Sequence, residues 1–154
     1  MRILVLNHEY PPIGGGGGQI TQDIALALNK RGHEIRVVTS HIAGLSRKEI
    51  QGAQPGVQVI RLPSCRQHKF KAGLGAMMGY NIVAFVTGMR QIRRWRPDLI
   101  HVHFAVPAGP VAWLLSKLTG TPYILTTHLG DIPGGAPKKT AGWFRWICPF
   151  TPPI

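Results

Sequence analysis

Cysteine is almost missing from this sequence. Cys65 and Cys148 stand far apart with no C-x-x-C pair, which excludes a disulfide framework and a cysteine-built zinc site and fits a reducing compartment. Acidic residues are scarce as well: six stand against 18 lysines and arginines, for a formal charge of +12. Polyanions, nucleotide phosphates and an anionic membrane face would all suit that charge, which does not choose among them. The basic residues are scattered through loops and helix ends, without an aromatic-interleaved stripe or zinc-finger spacing, and this argues against nucleic acid. Long hydrophobic runs are missing too. The opening run Ile3–Leu6 is four residues long before polar Asn7 and His8, too short for a signal-peptide core. No run approaches the ~18 residues of a membrane span, so the chain reads as soluble and cytoplasmic.

Two phosphate fingerprints are also lacking. Gln19-Ile20-Thr21 follows the glycines where a Walker A loop needs Gly-Lys-Ser/Thr. The G-x-G-x-x-G spacing of a dinucleotide fold is broken by the same residues, and Thr39-Ser40 end the second strand where an acidic residue is wanted. No carboxylate stands out as a nucleophile, and no Ser/His/Asp or Cys/His hydrolase arrangement is supported.

What is present is organised around Arg2–Gly18. The run Ile3-Leu4-Val5-Leu6 gives way to Asn7-His8-Glu9-Tyr10-Pro11-Pro12 and then to five consecutive glycines, Gly14–Gly18. Ile20, Ile24 and Leu28 follow at helical spacing, so the glycines sit where a buried parallel strand feeds a helix. Without a Cβ, such residues let amide N–H groups converge on an anionic ligand at the positive end of a helix. A flexible turn is the plain alternative, but it needs only one or two glycines.

The rest reads as a continuing strand–helix alternation, one domain of 154 residues with a parallel sheet and helices on both faces. Strands are predicted at Glu34–Thr39, Val57–Leu62, Asp98–Phe104 and Tyr123–Thr127. Between the first two of these, residues 41–56 read as a loop with a short helical turn at 46–51. Ser64–Gly79 reads as mobile and amphipathic. Tyr80–Arg96 is a predicted helix with Ile82, Phe85, Val86, Met89 and Ile92 on one face. Arginines 90, 93, 94 and 96 crowd its last turns. They suit a solvated helix end, or, with Arg66, Lys69 and Lys71, a basic patch toward a membrane or acceptor. Pro107–Leu118 is the next helix, with Val111, Leu114, Leu115 and Leu118 in its stripe. The aromatics of Lys138–Ile154, among them Trp143, Phe144 and Trp146, come after the rhythm breaks off, which reads as a truncated domain.

Ligands of an open parallel sheet bind outside the carboxyl ends of the strands, so loops 7–18, 103–109 and 128–135 should line one crevice. Within it His128 is a natural polar contact or a turn-capping residue. Asp131 could orient that imidazole, accept an acceptor hydroxyl, or cap a helix. His101 and His103 point to one face of their strand; with no third ligand evident a metal is not expected, and His103 is the one nearer the cleft. Glu9 could contact a hydroxyl or be an ordinary loop carboxylate.

The ordered set R-I-L-V-L-x-x-x-Y-P-P-x-x-G-G, R-G-H-E-I-R-V-V-T, R-P-D-L-I-H-V-H and T-x-H-x-x-D resembles the family 4 glycosyltransferases over essentially the whole chain. The resemblance implies a GT-B fold, two Rossmann-like domains across a cleft, and retaining transfer of a sugar from a nucleotide-sugar donor. Only the N-terminal, acceptor-side domain is resembled; the C-terminal donor domain with its E-x7-E element has no counterpart here. The resemblance places Gly14–Gly18 beside the donor diphosphate and the acceptor, and His128 beside the transferring sugar. It implies no cofactor and no metal, the nucleotide sugar being a substrate. A glycan or lipid-linked acceptor is expected, with peripheral association on the inner face of a membrane suggested by the basic, Met-rich 64–96 region. The competing reading is a non-catalytic sugar- or phosphate-binding module, or a subunit that docks with a separate donor domain.

Overall fold

The computed structural model describes residues 1–52 and 55–131. The expected aromatic end 138–154, Cys148 and residues 132–135 of the loop 128–135 lie outside the described residues. Strand β1 (Arg2–Leu6) is central, because its side chains are apolar on both faces. It pairs in parallel with β2 (Glu34–His41) on one side and β5 (Leu99–His103) on the other, Val5 opposite both Val37 and His101. Beyond β2 lie β4 (Val57–Pro63) and the edge strand β3 (Lys48–Gln51); beyond β5 lies β6 (Tyr123–Thr126). The order is β3-β4-β2-β1-β5-β6, parallel except for β3.

Helix α1 (Gly16–Lys30) covers one face over Ile3, Val5, Ile35, Val37, Val57 and Val59. Helices α2 (Leu74–Trp95) and α3 (Gly109–Thr119) cover the other, over Leu4, Leu6, Val38, Ile100 and Val102. The sheet with helices on both faces is therefore as the sequence implies. No helix among the described residues is long and apolar enough to cross a membrane.

Several local expectations are corrected. The helical turn at 46–51 is strand β3, antiparallel to β4; its Glu49 meets the buried guanidinium of Arg61 at 2.8 Å, and its Gln51 accepts from the Tyr10 hydroxyl at 3.0 Å. The buried stripe of α1 is Gly18, Thr21, Ala25 and Asn29, while Ile20 is 47% exposed. Small residues let this helix approach the sheet closely, and Thr21 Oγ1 accepts a hydrogen bond from Asn7 Nδ2 at the end of β1. Helix α2 begins six residues before Tyr80, where Gly79 packs its bare Cα side against the backbone of Ser64. Its buried positions are Tyr80, Ala84, Gly88, Ile92 and Trp95, leaving Ile82 and Val86 in solvent, because Tyr80 donates to Val38 O and Gly88 receives Leu115 of α3. In α3, Val111 and Leu115 are buried as expected, whereas Leu114 and Leu118 are exposed.

Candidate functional site

The strand order reverses at β1, whose two neighbours lead off in opposite directions along the sheet. Ligands of open α/β sheets bind at such a point, beyond the carboxyl ends of the strands. Here that place is walled by residues 7–18 after β1, 104–108 after β5 and 127–131 after β6.

After β1 the chain is held from below and beside. Asn7 is fully buried; its amide donates to Thr21 Oγ1 (2.6 Å), which donates to Gly17 O (2.8 Å), so the start of α1 is tied to the strand end. Glu9 is not a bare carboxylate. Oε1 lies 3.3 Å from the guanidinium of Arg66 and Oε2 accepts the Gly15 N–H at 3.4 Å. Arg66, expected at a membrane surface, is instead buried and donates to His8 O, His68 O and Lys69 O. A cation needs that many acceptors once it leaves water.

The five glycines separate into distinct roles. Gly14 has φ +92°, a conformation L residues rarely adopt, and its N–H bonds Lys69 O at 2.8 Å. Gly15 is the N-cap of α1, and Gly16–Gly18 form its first turn rather than a loop. A Cβ at Gly17 would overlap the Phe104 ring, and one at Gly18 would press on Ile13 O at 3.1 Å. At Gly15 and Gly16 it would meet nothing within 4 Å. This helix start has no side-chain cap and no acidic residue in its first turn; the one carboxylate that reaches it, Glu9 on the Gly15 N–H, is itself paired with Arg66, so the positive end of the dipole is only partly offset.

Phe104 is the residue that sequence reasoning missed. It carries φ +70° directly after β5, a costly conformation for an aromatic residue and one that clusters at ligand sites. Its ring packs 5.2 Å from that of His8 and 4.3 Å from that of His128. Only its position at the end of a strand beside the switch point could have pointed to it.

Three histidines line up beside it. His101 and His103 alternate on β5 and so share a face, with ring centroids 4.2 Å apart. His101 Nε2 is 2.8 Å from Thr126 Oγ1, and His103 Nδ1 is 3.3 Å from His128 Nε2. Burial pushes His103 down to about 3, with the His101 and His128 imidazoles adding to the effect, and lowers His101, with His128 adding. Burial likewise lowers His8 to about 4, with Glu9 opposing. Among the described residues no group of three or more His, Cys, Asp or Glu side chains could hold a metal ion.

His128 precedes a short 3-10 turn, Leu129–Asp131. Asp131 is buried, and its carboxylate accepts the backbone N–H of His128 at 3.0 Å and those of Ala105 and Val106. It therefore joins the β5 and β6 loops through their amides, in the manner of an N3 carboxylate reaching back to a helix start. Burial raises its pKa, and the amides counteract this.

A groove of about 970 Å³ opens elsewhere, between α2 and the β3–β4 hairpin, with Arg36, Lys48, Arg90 and Arg94 in its walls. None of the switch-point residues lines it, so it is separate from this site.

Comparison with known proteins agrees with the geometry. Residues 15–148 match the family described as the glycosyl transferase 4-like domain. The chain is 35% identical over 137 residues to a 2-deoxystreptamine N-acetyl-D-glucosaminyltransferase of Streptomyces fradiae, covering 85% of this chain and 32% of that protein. It thus spans about a third of the length of that curated relative. Among solved structures it superposes on sucrose-phosphate synthase from Thermosynechococcus elongatus with TM-score 0.67 at 18% identity, over 84% of this chain and 33% of that one. It also superposes on the Streptomyces sp. SF2575 glycosyltransferase SsfS6, complexed with thymidine diphosphate, with TM-score 0.54 at 17% identity, over 100% and 48%. The chain belongs to the glycosyl transferase 4-like family and has the fold of the N-terminal half of a GT-B glycosyltransferase.

Proposed function

We propose that the chain is the acceptor-side domain of a retaining glycosyltransferase, which moves a sugar from a nucleotide-sugar donor to a glycan or lipid-linked acceptor. The observation that carries this reading is the uncapped start of α1, open over Gly15 and Gly16, at the same switch point as His128. Its amides suit the diphosphate of a donor held mainly by a second, C-terminal domain. His128 contacts the transferring sugar, Asp131 and His103 hold it in place, and Glu9 shapes the acceptor wall. The thymidine diphosphate in the SsfS6 complex and the transferase activity named for the Streptomyces fradiae relative favour this over a non-catalytic binding module. Titrating the chain with nucleoside diphosphate sugars while following its amide resonances tests it: shifts at Gly15–Gly18 and His128 are expected. Shifts confined to the groove around Arg36 and Arg94 would refute it.

A specific surface supports a lipid-linked acceptor. Leu74, Met78, Ile82 and Val86 form an exposed apolar stripe along α2, followed on the same helix by exposed Arg90, Arg93 and Arg94. Such a face suits the inner leaflet of an anionic bilayer, each cation adding up to ~1 kcal/mol. Sedimentation with anionic vesicles should fall at high salt and in Ile82→Glu. Binding indifferent to both would leave only a solvated basic helix.

A further inference from the structure

We propose that His103 is a positioning residue that fixes the tautomer of His128, so that a neutral His128 offers Nδ1–H, and not Nε2–H, to a ligand in the crevice. That the ligand is a sugar rests on the function proposed above; the tautomer itself does not.

The argument is an accounting of protons between two rings. His103 Nδ1 and His128 Nε2 face each other at 3.3 Å, and one of them must donate. His103 is fully buried, and its other nitrogen, Nε2, has no partner among the described residues. A neutral imidazole carries a single N–H. If His128 donated from Nε2, His103 would accept at Nδ1 and carry its own proton on Nε2, as a buried N–H with nothing to receive it. Orphaned buried N–H groups are the rarest kind of unsatisfied polar group, and a bare lone pair is tolerated more often. The arrangement that avoids the orphan has His103 donating from Nδ1 to Nε2 of His128.

His103 is kept neutral by its burial, so it cannot donate from both nitrogens. With Nε2 of His128 acting as acceptor, the proton of His128 sits on Nδ1. That atom has no partner among the described residues and belongs to a ring only partly buried. The sequence H-V-H on β5 thus gains a second meaning: the upstream histidine meets Thr126 at the side, and the downstream one sets the donor direction of the loop histidine.

The test is long-range proton–nitrogen correlation on the histidine-labelled chain at neutral pH. Free histidine favours Nε2–H, so His103 and His128 both protonated at Nδ1 would be an uncommon pattern and the expected one. His103→Phe should return His128 to the Nε2–H form or to a mixture, whereas His103→Asn, whose amide can donate from a similar place, should retain Nδ1–H. Nε2–H on His128 in the unaltered chain would overturn the proposal, as would an unchanged pattern in His103→Phe. If His103→Phe fails to fold, the unaltered chain and His103→Asn still decide. Nucleotide-sugar titration of the same samples reports separately on the function.

Discussion

The ring of Phe104 stands against the Cα of Gly17, in the space a β-carbon at that position would take. The start of α1 and the end of β5 are thereby locked together, with His8 and His128 packed on the same ring.

Gly17→Ala should therefore displace Phe104 and disturb both histidines, at a cost of about 1–3 kcal/mol typical of overpacking. Gly16→Ala should leave stability nearly unchanged, since its Cβ enters open space, but should weaken binding of a nucleoside diphosphate there. Thermal midpoints and ligand titrations on the two variants check the contrast, and equal destabilisation would contradict it.

His128→Ala should lower turnover by roughly 10²-fold or more in the enzyme supplied with its donor domain, if the imidazole stabilises developing charge. The thermal midpoint should fall only by the cost of leaving the buried His103 Nδ1–H without its acceptor, about 1–3 kcal/mol, too little to unfold the domain. If a second domain supplies the other wall of the cleft, as proposed, these 154 residues by themselves should show no transfer, because one wall cannot bring reactants to the ~3–3.5 Å separation required. Product formation by a purified monomer, assayed over a panel of nucleotide sugars, would contradict the second expectation.

Acid should unfold the domain through its buried histidines. His8 and His103 are held near 4 and 3 in the fold, and His101 is also lowered, against ~6.5 in the unfolded chain. Between those limits the unfolded chain binds more protons, so stability is full above about pH 6.5 and declines as pH falls toward 4. Thermal midpoints across that range should drop steeply, and His103→Phe should drop less for the same acidification.

Glu49→Ala should destabilise by about 1–3 kcal/mol, because it leaves the Arg61 guanidinium, fully buried, with Pro11 O as its remaining hydrogen-bond acceptor among the described residues. Glu49→Gln should recover part of that loss. Chemical denaturation of the three proteins measures it.

The parallel strands were legible because a strand buried on both faces must be apolar at every position, as Ile3–Leu6 is. The faces of α1 and α2 are less legible, because large apolar residues do not reliably mark the inside there. Close approach to the sheet instead favours Gly18, Thr21 and Ala25 in α1, and Ala84 and Gly88 in α2. Strand β3 was hidden for a different reason: a four-residue edge strand, Lys-Glu-Ile-Gln, carries almost no hydrophobic signal, and its place depends on Arg61 and Tyr10 from other parts of the chain. At the site, His128, His103, Glu9 and the glycines were visible as polar or flexible groups at strand ends. Arg66 could not be told from a surface arginine, since only the folded chain brings it the carbonyls of residues 8, 68 and 69.

That buried guanidinium has a consequence for how a ligand is received. With Gly14 bonded to Lys69 and Glu9 to both Arg66 and Gly15, the glycine turn and the segment 66–69 form one cross-braced unit. A ligand entering beside it would meet a wall whose conformational entropy was already lost when the chain folded, so little of its binding energy need go into ordering this side of the site.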